Sequence, residues 1–159
     1  MGRATIVPRL PVLPFVEEPA TLHPVLGVPL GAYAHRSLGD LGGLTQVGVH
    51  IERLPPGSIS SLRHWHETED EFILMLSGEV ILLEDGTETC LVPGDAATWP
   101  AGVPIGHCLE NRSGADATFL TVGTRNRADS IHYPDHDRVC HREGPDRRWT
   151  RGDGTPVAS

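Results

Sequence analysis

His64-Trp65-His66-Glu67-Thr68-Glu69-Asp70-Glu71 is the stretch of sequence on which the interpretation of this chain depends. On a β-strand, side chains alternate between the two faces, so His64 and His66 point into the same space while Trp65 points away. On a helix the two imidazoles would diverge by about 200°. The spacing therefore favours a strand that presents two nitrogen ligands side by side.

Glu71 and His107 extend this pair to four candidate ligands. Two imidazoles, a carboxylate after a four-residue gap and a third imidazole from a later strand form a donor set suited to a divalent transition metal. An isolated His-x-His pair in an acidic segment can also be a solvated strand end, because the pattern is so short. The spacing of residues further along the chain decides between these interpretations.

The composition predicts one globular domain built from short strands. The chain has 159 residues, of which 38% are hydrophobic and 21% charged, enough to bury a core. Its 18 glycines and 14 prolines are spread along the sequence, as is typical of all-β sandwiches and barrels joined by tight turns. We therefore predict an all-β fold.

Alternation of apolar and polar residues locates the strands. Val47, Val49 and Ile51 alternate with Gln46, Gly48, His50 and Glu52, which is the period-two pattern of a strand with one apolar and one polar face. Asp85-Gly86 is a hairpin turn signal. The same criteria predict strands at residues 45–54, 60–66, 71–77, 80–84, 87–92, 96–99, 107–111 and 117–124.

The segments on either side of these strands differ from them in composition. Residues 1–44 carry repeated prolines and predict an extended N-terminal arm with short strands, while residues 45–124 form the barrel. Residues 125–159 are charged and rich in turns. They predict either an ordered C-terminal extension, packed by Ile131, Tyr133 and Trp149, or a frayed tail.

Charge and cysteine content narrow the classes of partner and compartment. A formal charge of -8 argues against a nucleic-acid backbone as partner. No apolar run is long enough for a membrane span and no signal peptide is evident, so we predict a cytoplasmic protein. Cys90, Cys108 and Cys140 form no CxxC pair, and Cys108 is expected to be a buried strand residue rather than a nucleophile.

Two separated motifs resemble those of the cupins. The first comprises a glycine, the His-x-His pair, a glutamate and a second glycine; the second comprises a glycine, a proline, another glycine, a histidine and an asparagine. In this chain the residues are Gly57, His64, His66, Glu71 and Gly78, then Gly94, Pro100, Gly102, His107 and Asn111. Six residues rather than five separate Gly57 from His64, and four rather than two separate Gly102 from His107.

The resemblance covers roughly residues 45–124 and implies a double-stranded β-helix, or jelly-roll, barrel. It also implies one divalent transition metal ion per chain, held by His64, His66, Glu71 and His107. A mixed nitrogen and oxygen donor set favours iron, manganese, nickel, copper or zinc over calcium or magnesium. No feature of the sequence selects among those five metals.

The function that these residues predict is small-molecule chemistry at an open metal site. A metal-dependent dioxygenase or isomerase acting on a compact oxygen-bearing molecule is one hypothesis, and a non-catalytic small-ligand sensor is the other, because fold does not imply function. His50 would be a general acid or base if its face looks into the barrel, and a solvent-facing residue otherwise. The strand 71–76, apolar on both faces, predicts a homodimer.

Overall fold

The computed structural model describes residues 9–157, so the first eight residues of the predicted N-terminal arm and the last two of the C-terminal extension lie outside it. Within the described residues, one short helix, α1 (Leu38–Leu41), and one 3-10 turn accompany sixteen strands. The strands are β1 (Val16–Glu18), β2 (Thr21–Leu22), β3 (Pro29–Leu30), β4 (Tyr33–Ser37), β5 (Val47–Leu54), β6 (Trp65–His66), β7 (Glu71–Ser77), β8 (Val80–Glu84), β9 (Thr87–Leu91), β10 (Ala96–Trp99), β11 (His107–Glu110), β12 (Ala117–Thr124), β13 (Ala128–Tyr133), β14 (Arg138–Glu143), β15 (Asp146–Thr150) and β16 (Pro156–Val157). The all-β prediction is confirmed.

Antiparallel sheets enclose the core. A six-stranded sheet has the order β1-β4-β5-β12-β7-β10, a three-stranded sheet the order β11-β8-β9, and a five-stranded sheet the order β16-β15-β14-β13-β6. Several pairs of neighbours, such as β5 with β12 and β12 with β7, are not consecutive in the chain, as expected of a jelly roll. The core between the sheets is formed by Leu54, Ile73, Met75, Val80, Leu82, Leu91, Trp99, Leu109, Ala117 and Phe119.

Local signals located most of the barrel strands. β7, β8, β10 and β12 coincide with their predicted ranges, while β5 begins two residues later and β9 and β11 end one residue earlier than expected. Asp85-Gly86 connects β8 to β9, and Gly86 has φ +86°, a backbone conformation that glycine adopts without strain. Period and turn chemistry therefore sufficed where neighbouring strands are joined by short turns.

The strand predicted at 60–66 is shortened to β6, which is the one clear error of the strand prediction. Its first part instead follows the edge of β11 through isolated bridges. Ser60 Oγ accepts a hydrogen bond from the backbone N–H of Leu109 at 3.0 Å, which replaces part of the backbone ladder. Serine side chains can compete with backbone pairing between strands in this way. A prediction from alternating residues does not detect such hydrogen bonds.

The C-terminal extension is ordered and joins the barrel. β13 pairs with β6, with Ile131 opposite His66 and His132 opposite Trp65. Trp149 is buried, and its ring lies 5.6 Å from that of Tyr133. Within residues 9–157, no helix is long and apolar enough to cross a membrane. The extension thus supplies strands rather than a frayed tail.

Candidate metal centre

His64 and His107 are brought together by the backbone. They exchange hydrogen bonds across an antiparallel bridge, with N–O distances of 3.2 and 2.9 Å. Residues directly opposite in such a bridge project their side chains to the same face. His66, two residues further on, projects to that face as well, and the ring centroids of His66 and His107 lie 5.1 and 5.2 Å from that of His64.

Glu71 completes the group from the first position of β7. Its Oε2 lies 2.9 Å from His107 Nε2, 3.7 Å from His66 Nε2 and 3.9 Å from His64 Nε2. Asp70 is exposed, and its Oδ1 accepts a hydrogen bond from the Ala101 N–H at 2.8 Å. The structure therefore places ligand atoms of His64, His66 and Glu71 within 4.8 Å of one another, adds His107 against Glu71, and turns the neighbouring carboxylate away.

Each imidazole is oriented by a partner on its other nitrogen. His64 Nδ1 lies 2.8 Å from Leu62 O, His66 Nδ1 lies 2.6 Å from Asp129 Oδ2, and His107 Nδ1 lies 3.3 Å from Ile105 O. Because these partners are acceptors, the proton belongs on Nδ1 and the lone pair on Nε2. All three Nε2 atoms are then free to donate electron density toward the same point.

The donor set fits a transition metal on a second ground. Glu71 Oε2 is buried, and among the described residues it makes no hydrogen bond of good geometry, although His107 Nε2 lies 2.9 Å away. A buried carboxylate oxygen without a partner is costly unless it coordinates a cation. Three imidazole nitrogens and one carboxylate oxygen are ligands that iron, manganese, nickel, copper and zinc accept.

Burial and the surrounding charges set the pKa values of the group. Desolvation lowers the pKa of His64 to about 4, although Glu71 acts in the opposite direction. For Glu71, burial alone would raise the pKa, but the contact with His107 and the nearby His64 and His66 lower it to about 2. A neutral imidazole and an ionised carboxylate are the forms that bind a metal.

Asp129, from the C-terminal extension, is a site residue that sequence reasoning missed. Its side chain is fully buried, and besides the contact with His66 its Oδ1 accepts hydrogen bonds from Thr68 N and Thr68 Oγ1, both at 2.9 Å. Burial would raise the pKa of Asp129, but His66 and Thr68 lower it to about 2. For His66, the pKa is raised because Asp129 and other carboxylates outweigh burial.

From the sequence, the acidic run Glu67, Glu69 and Asp70 predicts a solvated turn at the mouth of the site, and for Glu69 this prediction is wrong. Glu69 is buried, with 8% of its surface exposed, and forms an ion pair with Arg142. His66, Glu69 and Asp129 also lie close enough together to surround a cation. The carboxylates of Glu69 and Asp129 already have hydrogen-bond or ion-pair partners. The group of His64, His66, Glu71 and His107 is therefore the better candidate metal site.

Three of the four candidate ligands, His64, Glu71 and His107, line a small cavity of about 140 Å³. Trp99 lines it and stacks on His107, with ring centroids 3.8 Å apart and planes within 7°. Trp99 Nε1 donates to Glu84 Oε1 at 2.7 Å, which fixes the indole. Trp99 is therefore a core residue that also holds the plane of a candidate ligand.

The polar face of β5 looks into the barrel, but His50 does not line this cavity. Its Nδ1 lies 3.2 Å from Ser37 Oγ, and burial lowers its pKa. Glu52, two residues further along the same face, does line the cavity. Burial raises the pKa of Glu52, against the opposing effects of Thr121 and His35. The alternating pattern placed His50 and Glu52 on the same polar face, but it gave no reason to choose Glu52 over His50 as the acid or base.

Cys108 is not an activated thiol. Only 6% of its surface is exposed, and burial raises its pKa to about 11. A nucleophilic cysteine needs a lowered pKa and access to solvent. The predicted role as a buried strand residue agrees with both observations.

Comparisons with known proteins point to one family. The family model described as a cupin domain matches residues 50–123. Among curated proteins, the chain is 36% identical over 70 residues to the oxalate-binding protein of Thermotoga maritima, which is 44% of this chain and 55% of that protein. The chain therefore matches about half the length of that relative.

Solved structures extend the similarity to the whole chain. A protein of Silicibacter pomeroyi, named a sugar phosphate isomerase from a cupin superfamily, is 39% identical, with a TM-score of 0.86 over 96% of this chain and 98% of that one. A protein of Acidithiobacillus ferrooxidans is 24% identical with a TM-score of 0.76, over 89% and 88%, which shows the fold alone. A predicted oxalate decarboxylase of Thermotoga maritima is 26% identical with a TM-score of 0.52, over 60% and 83%.

Proposed function

The chain belongs to the cupin superfamily, and from that premise we propose that it is a metal-dependent isomerase acting on a compact sugar or related hydroxy-carbonyl compound. The observation that carries the proposal is the environment of Glu71 Oε2. This atom is buried, makes no hydrogen bond of good geometry within residues 9–157, and lies between 2.9 and 3.9 Å from three imidazole Nε2 atoms. Such an arrangement, beside a cavity, suits a metal with room for a small oxygen-bearing molecule.

His64, His66, Glu71 and His107 would hold one divalent transition metal ion per chain: iron, manganese, nickel, copper or zinc. When bound, such an ion supplies a Lewis acid that polarises a carbonyl oxygen. The fixed Nδ1 partners of the three histidines keep Nε2 unprotonated and the rings in place. Trp99, packed flat on His107, forms one wall of the cavity.

Isomerisation of a hydroxy-carbonyl compound moves a proton between neighbouring carbons, so a group that accepts and returns a proton is required. We assign this step to Glu52 rather than to His50, because Glu52 lines the cavity and His50 does not. The pKa of Glu52 is raised by burial, and a raised pKa suits a carboxyl group that must accept and return a proton.

The comparisons favour an isomerase over a dioxygenase. The protein of Silicibacter pomeroyi named a sugar phosphate isomerase resembles this chain over almost its entire length. The alternative, a non-catalytic binder, is favoured by the partial similarity to an oxalate-binding protein. Both alternatives use the same four ligands and differ in whether a bound molecule is converted.

Turnover separates the two functions. We would remove all metal, reload the protein with each of the five metals, and incubate it with aldoses and ketoses, free and phosphorylated, while recording exchange of solvent deuterium into the sugar by NMR. An isomerase incorporates deuterium and loses this activity in Glu52→Gln. A protein that binds oxalate by calorimetry, but exchanges no proton in any sugar, would be a binder instead.

We also propose a cytoplasmic homodimer whose ligand is a small molecule rather than nucleic acid or a membrane. The outward face of β7 carries Phe72, Leu74 and Leu76, and 43% of the surface of Leu76 is exposed. Covering this face would remove apolar surface from water. Light scattering at micromolar concentration should give twice the mass of one chain; a single-chain mass would contradict the dimer. The division into segments 1–44, 45–124 and 125–159 remains a proposal.

A further inference from the structure

A second chamber adjoins the cavity of the candidate metal centre. It has a volume of about 300 Å³, and Glu52, Ser60 and Ser61 line both spaces. The inner cavity, at about 140 Å³, is smaller than the roughly 300 to 1,000 Å³ typical of ligand pockets. The two spaces taken together fall within that range, so a substrate of ordinary size would extend into the outer chamber.

The outer chamber is built by the segments on either side of the barrel. Leu30, Gly31 and Tyr33 come from the N-terminal arm, and Tyr133 comes from the C-terminal extension. The arm passes so close to the barrel that a Cβ on Gly31 would lie 2.8 Å from the Cα of Ser58. Glycine is therefore required there for the arm to form this wall.

The wall contains two tyrosines, Tyr33 and Tyr133. Neither the Tyr33 nor the Tyr133 hydroxyl makes a hydrogen bond within the described part of the chain, and both residues line the chamber. Glu52 adds a carboxylate at the junction of the two spaces. Hydroxyls and a carboxylate are the partners that the hydroxyl groups of a polyol require.

The same wall lacks the groups that hold a phosphate. No arginine lines either space among residues 9–157, and the chain contains no lysine. His23 lines the outer chamber, but its Nδ1 accepts hydrogen bonds from the Val25 and Leu26 N–H groups at 3.3 and 3.1 Å, which favours the neutral ring. A doubly charged phosphate would face Glu52 without a guanidinium to bind it.

We infer that the outer chamber binds the polyhydroxylated, unphosphorylated tail of a substrate whose oxygen-bearing head occupies the inner cavity. The inference rests on the proposed metal site, because the head must be anchored there, and it narrows the sugar class to unphosphorylated compounds. The N-terminal arm and the C-terminal extension are then substrate-binding segments as well as structural ones.

Three probes that share one chelating head test this. Glycolate is the α-hydroxy acid head alone, gluconate adds a polyol tail, and 6-phosphogluconate adds a phosphate to that tail. Binding of each to cobalt-loaded protein is measured by calorimetry, after the cobalt stoichiometry has been determined. We expect gluconate to bind about 10-fold more tightly than glycolate, as a few added hydrogen bonds would give, and 6-phosphogluconate to bind no more tightly than gluconate.

Variants of the wall locate the tail. Tyr33→Phe and Tyr133→Phe each remove one hydroxyl and should weaken gluconate binding roughly 2- to 10-fold, with glycolate binding unchanged. Gly31→Ala should abolish the preference for gluconate by displacing the arm. Gly114→Ala is the matched control, because a Cβ there meets nothing within 4 Å, and it should behave as the unmodified protein.

The outcomes separate the inference from the function on which it rests. Absence of bound cobalt would overturn both, since the head then has no anchor. Bound cobalt with equal affinity for glycolate and gluconate, or with no affinity for either, would overturn the outer chamber and leave the metal site standing. Tighter binding of 6-phosphogluconate than of gluconate would show that the chamber takes phosphate, contrary to the inference.

Discussion

His107 and His66 each direct their Nε2 atom toward Glu71 Oε2, but different parts of the chain hold the two rings in place. His107 is fixed inside the barrel, by Ile105 O two residues earlier and by the face of Trp99. His66 is fixed from outside, by Asp129, which lies 63 residues later in the C-terminal extension. One half of the centre is thus held by its own neighbourhood, and the other half depends on a segment that completes it from a distance.

This difference shows that the extension belongs to the site. β13 pairs with β6 through the backbone and, in the same contact, brings the Asp129 carboxylate to His66. A partner of this kind keeps the imidazole in one tautomer and one orientation. Losing the extension would therefore disturb the centre even though it supplies no predicted ligand.

The largest effect on metal binding should follow from replacing His107, the candidate ligand that is held inside the barrel. His107→Ala removes a ligand and should reduce bound metal from one ion per chain to none, while circular dichroism still reports a folded β protein. Metal content after purification without chelator is the measurement. His136→Ala, in the extension and outside the centre, is the control. Full metal occupancy in His107→Ala would mean that the second motif does not contribute a ligand.

The carboxylate shared by both halves gives the next effect. Glu71→Ala should weaken metal binding by more than the roughly 10- to 100-fold caused by losing an outer partner, because it removes a direct ligand. Asp70→Ala should change it little, since Asp70 is exposed and bonded to the Ala101 N–H. Competitive chelator titration of both variants measures this. A larger loss for Asp70→Ala would place the strand register one residue off.

A smaller effect on metal affinity should follow from replacing Asp129, the residue of the C-terminal extension that holds His66. Asp129→Ala leaves all four ligands in place but removes the partner of His66 Nδ1, so metal affinity should fall by about 10- to 100-fold. Asp146→Asn, an exposed acid on β15 in the same extension, is the matched control. If both variants bound metal as tightly as the unmodified protein, the orientation of His66 would not depend on the extension.

The smallest effect is a pH dependence of stability in the metal-free protein. Asp129 has a pKa of about 2 when folded, below the usual value near 3.9 for the unfolded chain. Its contribution is therefore present above about pH 4 and is lost as the pH falls toward 2. Between these values the unmodified protein should lose on the order of 2 kcal/mol more stability than Asp129→Asn. Urea unfolding of both proteins at pH 4 and pH 2, in the presence of chelator, measures this difference. An equal loss of unfolding free energy in the two proteins would contradict the prediction.

Much of the barrel could be predicted from local patterns, and the four candidate ligands were proposed from two separated motifs. β7, β8, β10 and β12 lie where alternation and turn residues placed them, because both are properties of a few consecutive residues. The segment 60–66 did not follow its pattern, since Ser60 replaces a backbone partner of Leu109 with its hydroxyl. That exchange depends on a strand some 49 positions away.

The sequence by itself determined that His64 and His66 share a face, because side chains alternate along any strand. Alternation alone did not decide between Glu71 and Asp70, which point to opposite faces of the strand that begins there. Only the tertiary structure decided that Glu69 is neutralised by Arg142, that Asp129 holds His66, and that Glu52 rather than His50 reaches the cavity. The physical reason is that alternation belongs to the local backbone, whereas the charge partner and solvent exposure of a side chain depend on segments distant in sequence.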